Sequence, residues 1–355
     1  MFKNLKLTIT GESHTPEMTV TVDGLGQGFH IDRDRLNNFM KRRAAENSAF
    51  STSRHEADGI SFSAGAENDI TTGEPLTVTV KNSDVKPSDY DKTDTVPRPG
   101  HADYTQYIKY GKVPSGGGKA SGRMTVLLCA AGGIAIQILE EKGIFIGALA
   151  ESVAGILDRR FDPCTVCRND FSAVAENSLP VLDPSAGERM LDALDAIKKD
   201  GDTAGGIIEC AVVGLPAGIG GELFDGLEGR LASSAFAIPA VKGVEFGIGF
   251  AASDIRGSEN NDPYYTDGEH IFTKTNNCGG ILGGISNGMP LIFRAAVKPI
   301  PSIGIPQESV DIVRKENVML TVSGRHDTCA VFRAVPVVEA VTALTILDAL
   351  NETER

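Results

Sequence analysis

Four elements recur in the same order at the two ends of this 355-residue chain, and that recurrence limits the folds open to it. VTVDGLGQGFHIDRDRLNNFMKRRA, from Val20, reads as a strand, a glycine turn and an amphipathic helix. ECAVVGLPAGIGGELFDGLEGRLASSAF, from Glu209, repeats the order, with Gly24-Leu25 answered by Gly214-Leu215. TTGEPLTVTVKNSD, from Thr71, is answered by SNGMPLIFRAAVKPI, from Ser286; each is a turn ending in Gly-x-Pro-Leu that leads into a strand. RPGHAD, from Arg98, and SGRHD, from Ser323, then each precede an apolar helix, expected around 123–142 and 334–350. The expectation is two related β/α halves, about 1–142 and 207–355, joined by segment 143–206. No Pro-rich or low-complexity linker separates them, so they pack as a single large domain around one core. Chance similarity in a glycine-rich chain is the competing explanation, and the shared order of four elements argues against it.

The joining segment carries its own helix signals. Asp183 or Ser185 can cap it, Leu191, Leu194 and Ile197 form its apolar stripe, and Lys198-Lys199 precede a stop at Gly201. Segment Met124–Leu139 is the most apolar stretch, but it is short and glycine-containing for a membrane span and reads as a buried core helix. MFKNLKLTIT lacks the apolar core of a signal peptide. With six irregularly spaced cysteines, the expectation is a cytoplasmic protein with reduced thiols. A net charge of −13 argues against a general nucleic-acid or membrane-surface binder, yet a local cationic cluster can still hold an anionic small molecule.

Several glycine turns carry chemistry-bearing residues. Ser13-His14 lies in a turn after the first strand, where an imidazole can exchange protons near neutrality. Arg98-Pro99-Gly100-His101-Ala102-Asp103 combines an arginine, a turn and a histidine, with Asp103 placed either to orient the imidazole or to cap a helix. Gly116-Gly117-Gly118-Lys119-Ala120-Ser121-Gly122-Arg123 leads into the apolar helix; its glycines let backbone approach a ligand, and Lys119 or Arg123 offers positive charge to a phosphate. It lacks the Walker spacing, so an ATP-binding loop is not expected. Lys298-Pro299-Ile300-Pro301-Ser302 is a stiffened turn after a strand, and Gly324-Arg325-His326-Asp327 offers an anion-binding arginine and a carboxylate base. Taken singly, each of these is also compatible with a solvated turn. Cys164-Thr-Val-Cys167 has redox spacing but no second pair, so a structural zinc is not expected. Segment Gly279–Gly288 lacks the strand-turn-helix context of a dinucleotide site.

Together, GESH, RPGHADY, the GGG-x-x-S-x-R-x-T segment, GDTAGG, AIPAVKGVEFG, GGILGGISNG, KPIPS and GRHDTC resemble, in order and over nearly the whole chain, the motifs of chorismate synthases. The resemblance implies an α+β fold, a β-α-β sandwich built from two related halves, and a homotetramer. It implies a lyase of the shikimate pathway that eliminates phosphate from 5-enolpyruvylshikimate 3-phosphate. The cofactor implied is reduced FMN, supplied by an external NAD(P)H-dependent system and used without net redox change. By the same resemblance, His14 protonates the departing phosphate, His101 protonates the flavin and Asp327 assists removal of a ring hydrogen. Lys119, Ala120, Ser121, Arg123, Ala240, Gly283, Lys298, Pro299, Ile300, Pro301, Ser302 and Arg325 fall on cofactor-binding positions; Ser13, Arg43, Arg123 and Arg325 fall on the substrate region.

The chain departs from the family pattern at identifiable places. Thr15-Pro16 stands where Gly usually follows GESH, and Arg42-Arg43-Ala44-Ala45-Glu46 replaces an RRPG segment. Ala49 falls where a basic residue is usual, Lys119-Ala120 replaces Arg-Ser, and Met124 replaces a Glu. Lys is a point charge where Arg gives a bidentate fork, so phosphate or carboxylate recognition is altered at Lys119. The alternative readings are a non-catalytic paralogue that binds flavin or a phosphorylated metabolite, and a different flavin enzyme on the same scaffold.

Overall fold

The computed structural model describes residues 2–44, 58–82, 95–322 and 327–353. Two antiparallel sheets enclose a layer of helices. The first sheet contains β1 (Lys6–Thr10), β2 (Glu17–Asp23), β3 (Ile60–Ala64) and β4 (Leu76–Lys81), in the order β1-β2-β4-β3. The second contains β5 (Phe145–Val153), β6 (Ile156–Leu157), β7 (Gly206–Val213), β8 (Val241–Phe246) and β9 (Leu291–Val297), in the order β8-β9-β7-β5-β6. Of the helices, α1 (Arg33–Arg43), α2 (Asp103–Tyr110), α3 (Thr125–Glu141), α4 (Arg168–Glu176), α5 (Pro184–Lys199), α6 (Leu227–Phe236) and α7 (Val331–Thr353) matter here. α1, α3, α6 and α7 pack on one another; α3 touches the first sheet, while α6 and α7 touch the second. α4 covers the outer face of β5 and α5 lies beside β6. This is an α+β sandwich with its main core between the sheets.

Local sequence accounts for each layer. In β2 the alternation of EMTVTVD buries Met18, Val20 and Val22 and leaves the threonines half-buried, as a one-sided sheet requires. The run FIGALAESV of β5 is covered on both faces and needs no alternation. α1 is capped by the Asp32 carboxylate on Arg35 N, carries Lys41, Arg42 and Arg43 in its last turn, and buries Leu36, Met40 and Arg43 on one face. α5 starts on Asp183, not Ser185, with Pro184 in its first turn. The apolar helix expected around 123–142 is α3, which reaches 141 and is buried; helix segment Gly122–Glu141 is the one candidate among the described residues long and apolar enough to cross a membrane, and 78% of it is buried inside the fold.

The strands follow one path twice. β1-β2-α1-β3-β4-α3 in the first half has the connectivity of β5-β7-α6-β8-β9-α7 in the second. Equivalent glycines hold equivalent turns: Gly24 lies with positive φ against Asn4 O just before β1, and Gly214 with positive φ against Gly143 O just before β5. β5 therefore takes the place of β1, so the second path includes part of the segment expected only to connect the halves.

α3 and α7 approach so closely that a Cβ on Gly132 would overlap Ala340. In an exposed helix, Gly→Ala raises stability by roughly 1 kcal/mol. Here Gly132→Ala should lower it, by about 1–3 kcal/mol from overpacking, read as a fall in urea midpoint.

The outer face of the second sheet carries Glu209, whose Oε1 accepts the Phe161 N–H at 2.8 Å, with Glu151 and Arg294 on flanking strands. Burial pushes the Glu209 carboxyl from 4.5 up to about 7, outweighing the Phe161 N–H, and Glu151 adds to the rise. The folded chain thus holds a proton between about pH 4.5 and 7 that the unfolded chain has released, so stability falls as pH rises through that window. Glu209→Gln keeps an acceptor for Phe161 and removes the titration. Its stability should gain about 2–3 kcal/mol on the wild type between pH 4.5 and 8; parallel stability–pH curves would contradict this.

Candidate functional site

Three loops and two helix ends meet where the sequence motifs converge. The first loop, Gly11–Pro16, follows β1. Its turn is closed by Thr15: the hydroxyl lies 2.8 Å from Glu12 O and 2.7 Å from Glu17 O and accepts the Glu12 N–H at 3.0 Å. The Thr15 departure thus builds the turn that presents His14. Ser13, buried, pairs through Oγ with His14 Nδ1 at 2.9 Å. Asn82, at the end of β4, donates to Ser13 O at 3.3 Å and Thr15 O at 2.7 Å, holding the loop from outside.

The glycines of the second loop, Gly116, Gly117 and Gly118, all have positive φ. A Cβ on Gly116 would overlap the His14 ring, and one on Gly117 would stand 2.7 Å from His101 Cε1. Both imidazoles therefore lean on one glycine turn, on successive residues. Only glycine fits there, because of both the backbone conformation and the rings. Gln106 of α2 donates to Gly117 O at 3.2 Å, and its own buried Oε1 accepts no hydrogen bond among the described residues.

The third loop contains Arg98 and His101, just before α2. Asp103, the first residue of α2, is completely buried and accepts from Arg98 Nε at 2.7 Å, Arg98 Nη2 at 2.8 Å and the Arg98 backbone at 3.0 Å. His101 Nδ1 lies 2.7 Å from Asp103 Oδ1. Burial pushes this carboxyl up, but hydrogen bonds from Arg98 and His101 and the Arg98 charge outweigh it and hold the pKa well below the usual carboxylate range. Arg98 Nη1 also reaches Ser302 Oγ at 3.5 Å, Lys298 Nζ donates to Gly100 O, and a Cβ on Gly100 would meet Pro301 at 3.3 Å. The Lys298–Ser302 turn is thereby fixed against the His101 loop. Ala240, a non-glycine residue with φ of 75°, joins it by accepting the Lys298 N–H at 3.0 Å.

The helix ends close the ring. Ile300 O accepts from Thr203 Oγ1 at 2.7 Å, and Ala204 N donates to Thr328 O at 2.9 Å, next to Asp327. Asp327 pairs with Arg333 of α7 at 2.6 Å, and Arg333 Nε donates to Arg43 O at 3.0 Å, at the end of α1. Arg43, buried, pairs with Asp58 at 2.6 Å and donates to Thr125 Oγ1 at 3.1 Å; the second Asp58 oxygen pairs with Arg123, whose Nε donates to Asn82 at 3.0 Å. From Asn82 the path returns to the His14 loop. His14, His101 and Asp327 thus lie on one closed circuit of contacts drawn from both halves of the chain.

Other expected positions fall out differently. Lys119 is exposed, Ala120 and Ser121 are half-buried, and Met124 is buried in the core. Gly283 lies in the hairpin Ile281–Ser286, whose Gly284 packs on Gly221 and Gly226, and no described contact joins it to the histidines. Arg325, Ala45, Glu46 and Ala49 lie outside the described residues. A cavity of about 480 Å³ beside α1, lined by Asp34, Met40, Lys41 and Ala44, shares Asp58 with the circuit but none of its histidines. Asp58, Asn82 and Arg333 were not singled out from sequence; a charged or amide residue announces no partner until the fold supplies one. Cys164 faces Lys274 O, whereas Cys167 caps α4.

Gly116→Ala should displace the ring of His14 and Gly117→Ala that of His101, each at a backbone cost of about 1–2 kcal/mol. Histidine side-chain NMR signals check this: each variant should move one ring's signals far more than the other's.

Residues 5–350 match the family profile described as chorismate synthase. Similar proteins named chorismate synthase include those of Lancefieldella parvula, 42% identical over 98% of this chain and 94% of that protein, and Thermococcus gammatolerans, 41% identical over 98% and 96%. A solved structure titled "Crystal Structure of Chorismate Synthase" superposes with a TM-score of 0.77 at 25% identity, covering 99% of this chain and 93% of its own.

Proposed function

Since the chain belongs to the chorismate synthase family, we propose that it catalyses the 1,4-elimination of phosphate from 5-enolpyruvylshikimate 3-phosphate to give chorismate, in the cytoplasm and on the route to the aromatic amino acids. The observation that supports this reading is the circuit of contacts that links His14, His101 and Asp327 with Arg43 and Arg123.

The donor set suits a flat, phosphate-bearing cofactor such as FMN. Lys119 and Lys298 offer ammonium groups, the glycine turn sets the two imidazoles side by side, and the buried Gln106 Oε1 is an acceptor without a donor among the described residues. Lys119, Ala120, Ser121, Arg123, Ala240, Gly283, Lys298 to Ser302 and Arg325 would hold it. When bound and reduced, by an external NAD(P)H-dependent system, FMN supplies electron density to the substrate transiently and recovers it, so no net oxidation occurs. The protein's own groups do the rest. Arg43 and Arg123, with Arg325, bind the substrate's carboxylates and phosphate; Asp58 presets Arg43 and Arg123, and Asn82 also holds Arg123. His14, oriented by Ser13, protonates the phosphate as it leaves, which lowers the charge on the leaving group. His101 holds a proton for the cofactor, and Asp327, oriented by Arg333, assists loss of the ring hydrogen. A homotetramer is the working assembly in this reading.

Purified protein given reduced FMN anaerobically should release phosphate from the substrate without consuming stoichiometric reductant. His14→Ala and His101→Ala should each slow release by about 10²–10⁴-fold while remaining folded. Tight FMN binding with no phosphate release would instead favour a non-catalytic binding protein, and net oxidation or reduction of the substrate a different flavin enzyme.

A further inference from the structure

His101 is held by a carboxylate that is itself clamped. Asp103 accepts three hydrogen bonds from Arg98, two from the side chain and one from the backbone, and is fully buried. Its remaining contact is His101 Nδ1, at 2.7 Å. Arg98 Nη2 also lies 3.2 Å from that nitrogen, so two proton placements compete. If Nδ1 accepted from Arg98, its lone pair would face an oxygen of a fully buried carboxylate at 2.7 Å, a repulsive contact. If Nδ1 carries the proton, the short bond to Asp103 is charge-assisted, and Arg98 keeps its two side-chain bonds to the carboxylate. The second arrangement wins.

The ring's orientation fits this choice. Its Cε1–Nε2 edge faces the glycine turn: from the place where a Gly117 Cβ would stand, Cε1 is 2.7 Å away and Nε2 3.1 Å, while Nδ1 is 3.9 Å away. Arg98 also balances the charge of Asp103, so the pair orients the imidazole without setting a net negative charge beside it.

We propose that Asp103 is a positioning residue that keeps neutral His101 in the Nδ1–H tautomer, leaving Nε2 as the nitrogen that takes up and gives back the proton during the elimination. The proposal rests on the role assigned to His101 above. It adds a residue that touches neither substrate nor cofactor and acts only through the ring.

The test uses the full-length protein labelled with 15N-histidine, His101 being assigned by the signal missing from His101→Ala. In the wild type at a pH where the ring is neutral, Nδ1 should be the protonated nitrogen. In Asp103→Asn the amide oxygen stays with Arg98 and the amide NH2 turns to Nδ1, which moves the ring proton to Nε2. Turnover should then fall about 10²–10⁴-fold, in kcat rather than KM, with FMN affinity little changed. A wild-type ring protonated on Nε2 overturns the proposal without any variant, which matters because Asp103→Asn strands a buried arginine and is at risk of not folding. A folded Asp103→Asn protein that keeps the Nδ1–H ring and full turnover overturns it as well. A switched tautomer with undiminished turnover supports Asp103 as the holder of the ring but removes His101 from the reaction, so the two readings fail separately.

Discussion

The close approach of α3 to α7 at Gly132 and Ala340 fixes where the remaining parts can go. Both helices are apolar around most of their circumference and must be covered on all sides. One sheet on each side does this, and α1 and α6 fill the flanks. Few polar groups interrupt this core, and two acidic ones on α7 tie it together. Glu339 of α7 takes both terminal nitrogens of Arg42 at 2.6 and 2.8 Å and the Ala148 N–H at 3.0 Å, joining α7 to α1 and β5. Asp348 accepts the backbone N–H groups of Lys3, Asn4 and Leu5, tying the N-terminal segment to the last helix. With the pair set, the starts of α3 and α7 both meet Arg43, through Thr125 and Arg333. The loops that precede those helices, one with the glycine turn and one with Asp327, are thereby delivered to the same place.

What is delivered is strongly charged, and its charges are balanced in pairs. Buried guanidinium groups are costly without partners, and a carboxylate removed from such a pair leaves several kcal/mol of uncompensated charge, about 3–5. Arg98 has Asp103, Arg43 and Arg123 share Asp58, and Arg333 has Asp327. The arrangement reconciles a chain of net charge −13 with a site for a polyanionic substrate. Arg43 and Arg123 share the Asp58 carboxylate, one oxygen each, so the two guanidinium groups are held in a preset geometry. Preorganised charge of this kind spends its ordering cost on folding rather than on binding.

Much of this was legible in the chain itself. The duplicated turns, the α5 cap, the two apolar helices and the loops bearing His14, His101 and Asp327 are local patterns, and local patterns are what a sequence displays. Asp58, Asn82 and Arg333 were not, because each gains its meaning from a partner far along the chain: Asp58 from Arg123, Asn82 from the His14 loop, Arg333 from Asp327. The glycine loop shows a subtler limit. Gly116 and Gly117 read as places where backbone meets a ligand, yet their nearest neighbours are the two imidazoles. The residue type announced a close approach but not what approaches. Thr15, a departure from the family pattern, gave no sign of a role; its hydroxyl is what closes the turn.

The two related loops RPGHAD and SGRHD carry an Arg, a His and an Asp in the same order. In the first, the carboxylate of Asp103 is completely buried and spent on Arg98 and His101, so it can hold a ring but cannot meet a substrate. In the second, Asp327 retains partial exposure, 13% of its side chain, and pairs with Arg333 of the following helix. Equivalent carboxylates thus differ in their partners: Arg98 lies in the same loop as Asp103, whereas Arg333 lies on the helix that follows Asp327. A pseudo-symmetric scaffold can thus carry an asymmetric reaction without altering its connectivity.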